Sequence, residues 1–375
     1  MRILIIPDSF KECLKADEVC RSIHKGISEV LPKAEVVKIP FSDGGEGALD
    51  VLIKFSKGKL INCETENALG DKCNGDYFLF MDRKAAWIEL SQVSGLAQIK
   101  NEKRNILKSS TYGTGLLIKD ALSRGCKEII LGVGGSATND GGAGIFEALG
   151  GKLLDKKGES LERGGGSLSS LESIIPPQIP KNIKWKVACD VNNPLLGSFG
   201  SSTIYGPQKG ASKTDIKILE KSLTQFSKVL EKQFMRSITK IKGGGAAGGT
   251  AGGMYGFFNA SLVSGFSILA NMVGLENIIK KSDLIFTAEG KIDEQSTDGK
   301  VTGRVANLGK KYNVPVVGIA GNIEGPYSKL YEAGFSGLFS IQNGPLDIEY
   351  SKKNASYLIR DITGRILNLF IKKSK

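Results

Sequence analysis

Five stretches of this sequence combine glycine, carboxylate and lysine at points where an apolar run has just ended, the position at which α/β sheets bind ligands. Pro7-Asp8-Ser9-Phe10-Lys11 sets a carboxylate near an amine, although Asp8 or Ser9 would equally serve as a helix cap. Asp43-Gly44-Gly45-Glu46-Gly47 opens a helical pattern, so its amides can hold an anion while Asp43 faces a cleft; a plain turn would not require three glycines in five residues. Gly132 to Gly144, GVGGSATNDGGAG, contains a Gly-x-Gly-x-x-Ala pattern with Asp155 downstream, the outline of a dinucleotide-binding fingerprint. That fingerprint begins its helix directly after the last small residue, whereas Thr138 to Gly142 prolong this loop with polar and flexible residues. A loop that cradles phosphate or a small acid is the better reading, with Gly134, Gly135, Ser136, Thr138, Asn139 and Asp140 as its binding residues.

The fourth group is Ala188-Cys189-Asp190-Val191 together with Gly206-Pro207-Gln208-Lys209-Gly210, in which a glycine-flanked turn presents Lys209 as a point charge suited to phosphate. Gly243 to Gly249, GGGAAGG, runs into the apolar Met254-Tyr255-Gly256-Phe257-Phe258 and carries none of the Ser and charge of a flexible linker, so it reads as a binding loop. The fifth stretch, Thr287 to Ser296, puts Glu289 and Asp293 just beyond a strand, with Gly299-Lys300 opening the next helix. Carboxylates so placed suit Mg²⁺ or the acceptance of a proton, because phosphoryl transfer needs neutralised charge and an oriented hydroxyl. No GxxxxGK[ST] occurs, which sets the P-loop mechanism aside.

These stretches must be positioned by the elements around them. Arg2 to Pro7 is an apolar strand, Val19, Ile23, Ile27 and Val30 recur at helical spacing, and Glu35 to Ile39 is extended, which makes a βαβ unit. A helix over Leu49 to Phe55 follows, then short meandering strands at Lys59 to Glu64, Asp76 to Phe80 and Ala85 to Leu90. The βα rhythm returns at the far end, with strands at Leu284 to Ala288, Val314 to Ala320 and Phe335 to Ile341 and helices at Val301 to Tyr312 and Ser351 to Ile371. Neither end has enough strands for a complete sheet. Joined, residues 1–58 and 281–375 form a doubly wound parallel α/β domain, and residues 59–280 form an inserted second domain with strands at Glu128 to Val133 and Trp185 to Cys189.

Composition bounds the chemistry further. A length of 375 residues favours two domains over one. Hydrophobic content of 41% and charged content of 24% are those of a soluble globular protein, and no apolar run approaches the roughly 18 residues that span a bilayer, so no membrane partner is expected. Pro7-Asp8 ends the first apolar run before it reaches signal-peptide length. The 48 glycines cluster at loops without a collagen period, which points to backbone lying close to a ligand. A net charge of +12 would suit nucleic acid, but the lysines are dispersed and no arginine-rich stripe interleaves with aromatics, so no nucleic-acid partner is expected either. Six scattered cysteines with no CxxC pair point to reduced thiols in the cytoplasm, and His24 as the single histidine argues against histidine-based zinc sites and Ser-His-Asp hydrolysis.

In this order, PDSFKECL, DGGEG, GGSATNDGGAG, ACDVNNPL, YGPQKGA, GGGAAGG and TAEGKIDEQS closely resemble the bacterial glycerate kinase family over essentially the whole chain. The resemblance implies a flavodoxin-like domain built from both chain ends, an inserted α/β domain with restriction-endonuclease-like topology, and transfer of the ATP γ-phosphoryl group to D-glycerate with Mg²⁺. It carries no residue roles, so these come from chemistry. Asp190 or Asp293 is the catalytic base, each ending a strand in a different domain and facing an inter-domain cleft. Glu289 and Asp43 are available for metal or substrate hydroxyls, with Asp293 a second metal candidate beside Glu289. Lys11, Lys209 and Lys300 neutralise phosphate or the glycerate carboxylate, with Lys11 counted among the catalytic residues. Asp8, Gly44 and Gly45 complete the binding set. The product is 2-phosphoglycerate by preference, with 3-phosphoglycerate left open, and self-association is also left open. The competing readings are an NAD(P)-dependent oxidoreductase using Gly132 to Ala137 and a basic nucleic-acid-binding protein.

Overall fold

Apolar runs closed by turn residues become the strands β1 Arg2–Ile5, β2 Glu35–Lys38, β3 Gly58–Glu66, β4 Lys72–Phe80, β5 Ala85–Glu89, β6 Glu128–Gly132, β7 Lys152–Leu154, β8 Ser173–Ile175, β9 Lys184–Ala188, β10 Ser261–Val263, β11 Leu284–Ile292, β12 Val316–Ile323 and β13 Gly337–Ser340. The computed structural model describes every residue except Lys11, Glu12, Asp43, Glu46, Asp298 and 373–375, and the side chains of Gln295 and Lys372. Two compact units emerge, Met1–Asp43 with Leu269–Lys375 and Gly44–Ile268. The division falls at other places than the boundaries 58/59 and 280/281. The helix Ala48–Phe55 buries Ala48, Leu49, Val51 and Leu52 and packs on β3, β4 and β5 of the second unit, while Leu275–Lys280 packs on the helix Val301–Tyr312 of the first. Both units are α/β.

In the first unit all neighbouring strands are parallel, in the order β13-β12-β11-β1-β2. Renumbered within the unit this is 2-1-3-4-5, which reverses direction between β1 and β11. Covered faces explain the unbroken apolar runs. Ile3, Ile5, Phe286 and Ile319 pack under Val19, Ile23 and Ile27 of the helix Ala16–Val30 and under Leu358, Ile359 and Leu367 of the helix Ala355–Lys372. Those two helices approach so closely that a Cβ on Gly26 would lie 2.4 Å from the Arg360 carbonyl oxygen. The helix Val301–Tyr312 packs on β11 and β12, against residues of the opposite parity such as Val316.

The second unit holds a six-stranded sheet in the order β10-β9-β6-β5-β4-β3. β10, β9, β6 and β5 are mutually parallel, and β4 and β3 complete it as a long antiparallel hairpin. One core gathers Ile88, Leu117, Leu131, Val187 and Met254; a second gathers Phe146, Phe226 and Phe257 around the helix Lys213–Phe234, whose start is fixed by a Ser212 and Asp215 capping box. β7 and β8 form a separate antiparallel pair. Four parallel strands end on one edge of the large sheet, at Glu89, Gly132, Ala188 and Val263. Among the described residues no helix is long and apolar enough to cross a membrane.

Candidate active site

In the first unit the acidic residues meet where the strand order reverses. The Asp8 amide donates to the Ala288 carbonyl oxygen at 2.8 Å, which extends the β1 and β11 ladder and sets Asp8 beside Glu289. The Ser9 amide donates to Asp8 Oδ1 at 2.6 Å. β11 is longer than expected: Glu289 pairs with Ala320 and Lys291 with Asn322, so Glu289 lies inside the strand and only Asp293 lies beyond it. Glu289 is 6% exposed, and its oxygens are engaged by the Thr302 hydroxyl and by Lys300 Nζ at 3.2 Å. Burial pushes its carboxyl up, against the pull of Lys300, Thr302 and Ser296. Asp293 is more open, with Lys291 Nζ at 3.4 Å and Lys300 Nζ at 3.6 Å. Burial would raise it as well, but the two ammoniums and the Ser296 hydroxyl outweigh burial and hold it below the usual carboxylate range.

Lys300 is therefore the hub of this cluster rather than a lysine extended toward an anion. Its Nζ also donates to the Lys291 carbonyl at 3.1 Å and the Ser296 hydroxyl at 3.0 Å. For Mg²⁺, which is usually held by one or two carboxylates together with phosphate oxygens, Asp293 fits as a ligand because it stays ionised and partly open. Glu289 fits poorly, since both of its oxygens are already accepting. Among the described residues no group of three or more His, Cys, Asp and Glu side chains could cage a metal. Lys11, expected from sequence to neutralise phosphate or the glycerate carboxylate, lies outside the described residues.

In the second unit the strand tips converge on Gly44. Its φ is +93°, and a Cβ there would stand 2.5 Å from Gly265 Cα and 3.4 Å from Ala188 Cβ. Gly132 lies equally close, since its own Cβ would be 2.4 Å from the Gly44 carbonyl oxygen. Gly45 is buried beside it, and Asp43 lies outside the described residues. Asp190 follows β9, and its Oδ2 accepts the Phe266 amide at 2.9 Å, in the first turn of the helix Gly265–Val273.

The loop after β6 departs from the sequence reading. Gly134 is half-buried and Gly135 exposed, so of the loop only these two reach solvent, with Ser136 buried beside them. Thr138, Asn139 and Asp140 are 0% exposed, which rules out direct ligand contact in this conformation. Asp140 accepts from Thr111 N at 2.7 Å, Thr111 Oγ1 at 2.9 Å, Gly142 N at 3.1 Å and Gly144 N at 3.2 Å. Asn139 Nδ2 donates to the Ser202 hydroxyl at 3.1 Å. These residues build the loop from beneath. Lys209 is 2% exposed, and its Nζ donates to Ser136 Oγ and to the Thr138 carbonyl, both at 2.7 Å. It thus anchors the turn rather than offering a charge to solvent. Burial pushes its ammonium down to about 7, with Asp140 acting in the opposite sense. The following helix starts at Ala143, six residues after the Ala137 at which a dinucleotide fingerprint would start it. The glycines of the 243–249 run are a packing seam rather than an open loop: a Cβ on Gly245 would be 2.1 Å from the Pro194 carbonyl oxygen, and one on Gly248 2.1 Å from that of Thr138.

Sequence reasoning missed Glu89, which is 1% exposed at the tip of β5. Its signal was a carboxylate closing the otherwise uncharged strand AAWIE, every residue of which is buried. Thr302 and Thr111 were missed because a threonine's hydroxyl partner is set by tertiary packing.

The model of the glycerate kinase family matches residues 3–371. A glycerate kinase of Halalkalibacterium halodurans is 40% identical over 368 residues, covering 97% of both chains. A glycerate 2-kinase of Escherichia coli is 42% identical over 345 residues, covering 91% of this chain and 90% of its own. A crystal structure from Salmonella typhimurium LT2, assigned to a glycerate kinase 2, superposes with a TM-score of 0.82 at 38% identity and covers 100% of both chains.

Proposed function

The chain belongs to the glycerate kinase family, and from that premise we propose that it transfers the γ-phosphoryl group of ATP to D-glycerate, at the 2-hydroxyl by preference, releasing ADP and phosphoglycerate. The observation that carries this reading is the extent of the family match, which takes in every acidic or glycine-rich strand tip of both units. The preference for the 2-hydroxyl is supported by the glycerate 2-kinase relative. The first unit's strand order supports a flavodoxin-like reading of that unit, while the restriction-endonuclease likeness of the second rests on the family resemblance alone. Both substrates are small and anionic, and a cytoplasmic location is part of the proposal.

In the transfer, the hydroxyl oxygen of glycerate forms its bond to the γ-phosphorus as the bond to the β-phosphate bridging oxygen breaks, and the hydroxyl proton passes to a base. Asp190 is the stronger candidate. The Phe266 amide orients one of its oxygens, whereas the ammoniums beside Asp293 depress that carboxylate's affinity for a proton. Asp293 instead suits Mg²⁺, which when bound would neutralise phosphate charge. Asp8 is proposed to hold a substrate hydroxyl, and the Gly134 to Ser136 turn, with Gly44 and Gly45, to hold an anion. Glu289 sets the position of Lys300, and Lys209 that of Ser136.

Turnover of ATP and D-glycerate by Asp190→Asn and Asp293→Asn tests the assignment. Loss of the base is expected to lower kcat by about 10²–10⁴ in Asp190→Asn, and Asp293→Asn is expected to require more Mg²⁺ for half-maximal rate. Near wild-type turnover in both variants would overturn it.

A further inference from the structure

Glu89 has no part in the chemistry above, yet a carboxylate at 1% exposure is costly unless it is given partners. Its partners are backbone amides of a segment 40 residues earlier in the chain. Oε1 accepts the Leu49 amide at 2.7 Å, the Gly47 amide also donates to the carboxylate, and Gln92 Nε2 approaches Oε2 at 3.5 Å. Gly47 is the residue before the helix Ala48–Phe55, with φ at +92° and no side chain to cap the helix itself. The N-terminal amides that a serine or aspartate at that position would satisfy are therefore satisfied from β5. Two residues before Gly47 lies the Gly44-Gly45 backbone, wedged among Gly132, Ala188 and Gly265 with no room for a Cβ at Gly44.

We propose that Glu89 is a positioning residue for turnover: by capping the Ala48–Phe55 helix it fixes the Gly44-Gly45 backbone against the strand tips that carry Asp190 and the Gly134 to Ser136 turn. This rests on the kinase reading given above. The hold depends on charge, because an ionised carboxylate accepts two amide hydrogen bonds about twice as strongly as a neutral acid. Burial pushes Glu89 up to about 7, against the Leu49, Gln92 and Gly47 donors, with Asp50 pushing further in the same direction. Around it, Asp50 is the charged group that acts from the helix, Gln92 is uncharged, and β6 ends beside it in Gly132. Glu89 therefore changes protonation state as pH passes through 7, the amide donors favouring the ionised carboxylate and burial opposing it.

The molecule supplies its own reporter. Trp87 lies two residues before Glu89 on the same face of β5 and is fully buried, and the other tryptophan is Trp185. In Trp185→Phe, the emission of Trp87 is expected to titrate with a midpoint near 7, and this titration is expected to vanish in Trp185→Phe/Glu89→Gln. In Glu89→Gln alone, kcat/KM for D-glycerate is expected to fall about tenfold, and the change of rate with pH around 7 is expected to flatten. Glu89→Ala, which accepts nothing, should lose more. Far-UV circular dichroism checks that each variant folds. A Trp87 titration unchanged by Glu89→Gln, or no titration near 7 when Glu89 is present, would overturn the proposal without reference to activity. Wild-type kcat/KM and pH profile in a folded Glu89→Gln would overturn it as well. If the wild-type chain made no phosphoglycerate, the kinase reading would fail while the fluorescence titration still judged the cap.

Discussion

Replacing Lys209 by methionine keeps the buried stem and removes the charge, and its consequence can be worked out in sign and size. Lys209 Nζ has two acceptors, Ser136 Oγ and the Thr138 carbonyl, and burial pushes it down from 10.5 to about 7. Between those values the unfolded chain holds a proton that the folded chain does not. Stability must then rise with pH across that window, by about 1.4 kcal/mol per pH unit, and flatten below 7 where both states are protonated. From pH 7 to 9 the wild-type chain should gain about 2 kcal/mol relative to Lys209→Met. The assay is urea unfolding at pH 7, 8 and 9, followed by tryptophan fluorescence, because Trp87 and Trp185 both lie in the unit that contains Lys209. Parallel pH dependence in the two proteins would show that Lys209 keeps its proton in the fold, and would refute the burial argument. In activity, Lys209→Ala should raise KM more than it lowers kcat, since the turn it anchors is loosened.

Lys300→Met should destabilise the first unit by about 2 kcal/mol at pH 8, measured by thermal unfolding, because it leaves Glu289 without its ammonium in a buried site. The loss should shrink as pH falls, because burial already raises the Glu289 carboxyl and a protonated Glu289 no longer needs a partner. Gly44→Ala should lower stability by on the order of 2 kcal/mol or more and reduce kcat/KM. Gly70→Ala, with φ at +89° but nothing within 4 Å of the added Cβ, should cost only about 1 kcal/mol and leave kcat/KM unchanged.

Much of the frame could be read from residue order, for reasons visible in individual segments. Val19, Ile23 and Ile27 recur at helical spacing and are fully buried, and the runs ILI and LIF are unbroken because helices cover both faces of their sheet. The acidic strand tips were legible as well, since Asp8, Asp190 and Asp293 each follow an apolar run. What residue type could not reveal was depth. Thr138, Asn139 and Asp140 carry the polarity of a solvent-facing loop, yet they are buried, with the 243–249 seam, about a hundred residues later, packed onto Thr138 and Asn139, and Lys209 is buried against Ser136 and Thr138. Glu89 was passed over for the converse reason: a single carboxylate in an apolar strand gives no sign that amides 40 residues away will meet it. The helix Ala48–Phe55 was assigned to the first unit because it follows β2 in sequence, but the side on which its apolar stripe is buried is a tertiary fact.

Phosphorus NMR of the purified chain incubated with ATP, Mg²⁺ and D-glycerate tests most directly the claim that these strand tips carry phosphoryl transfer to glycerate. Expected is loss of the γ-phosphate resonance matched by ADP and by a phosphomonoester split by the single proton on C2, as in 2-phosphoglycerate, with that signal growing at least about a hundredfold more slowly from Asp190→Asn. ATP left intact, or ADP formed with inorganic phosphate as the sole other product, would contradict it.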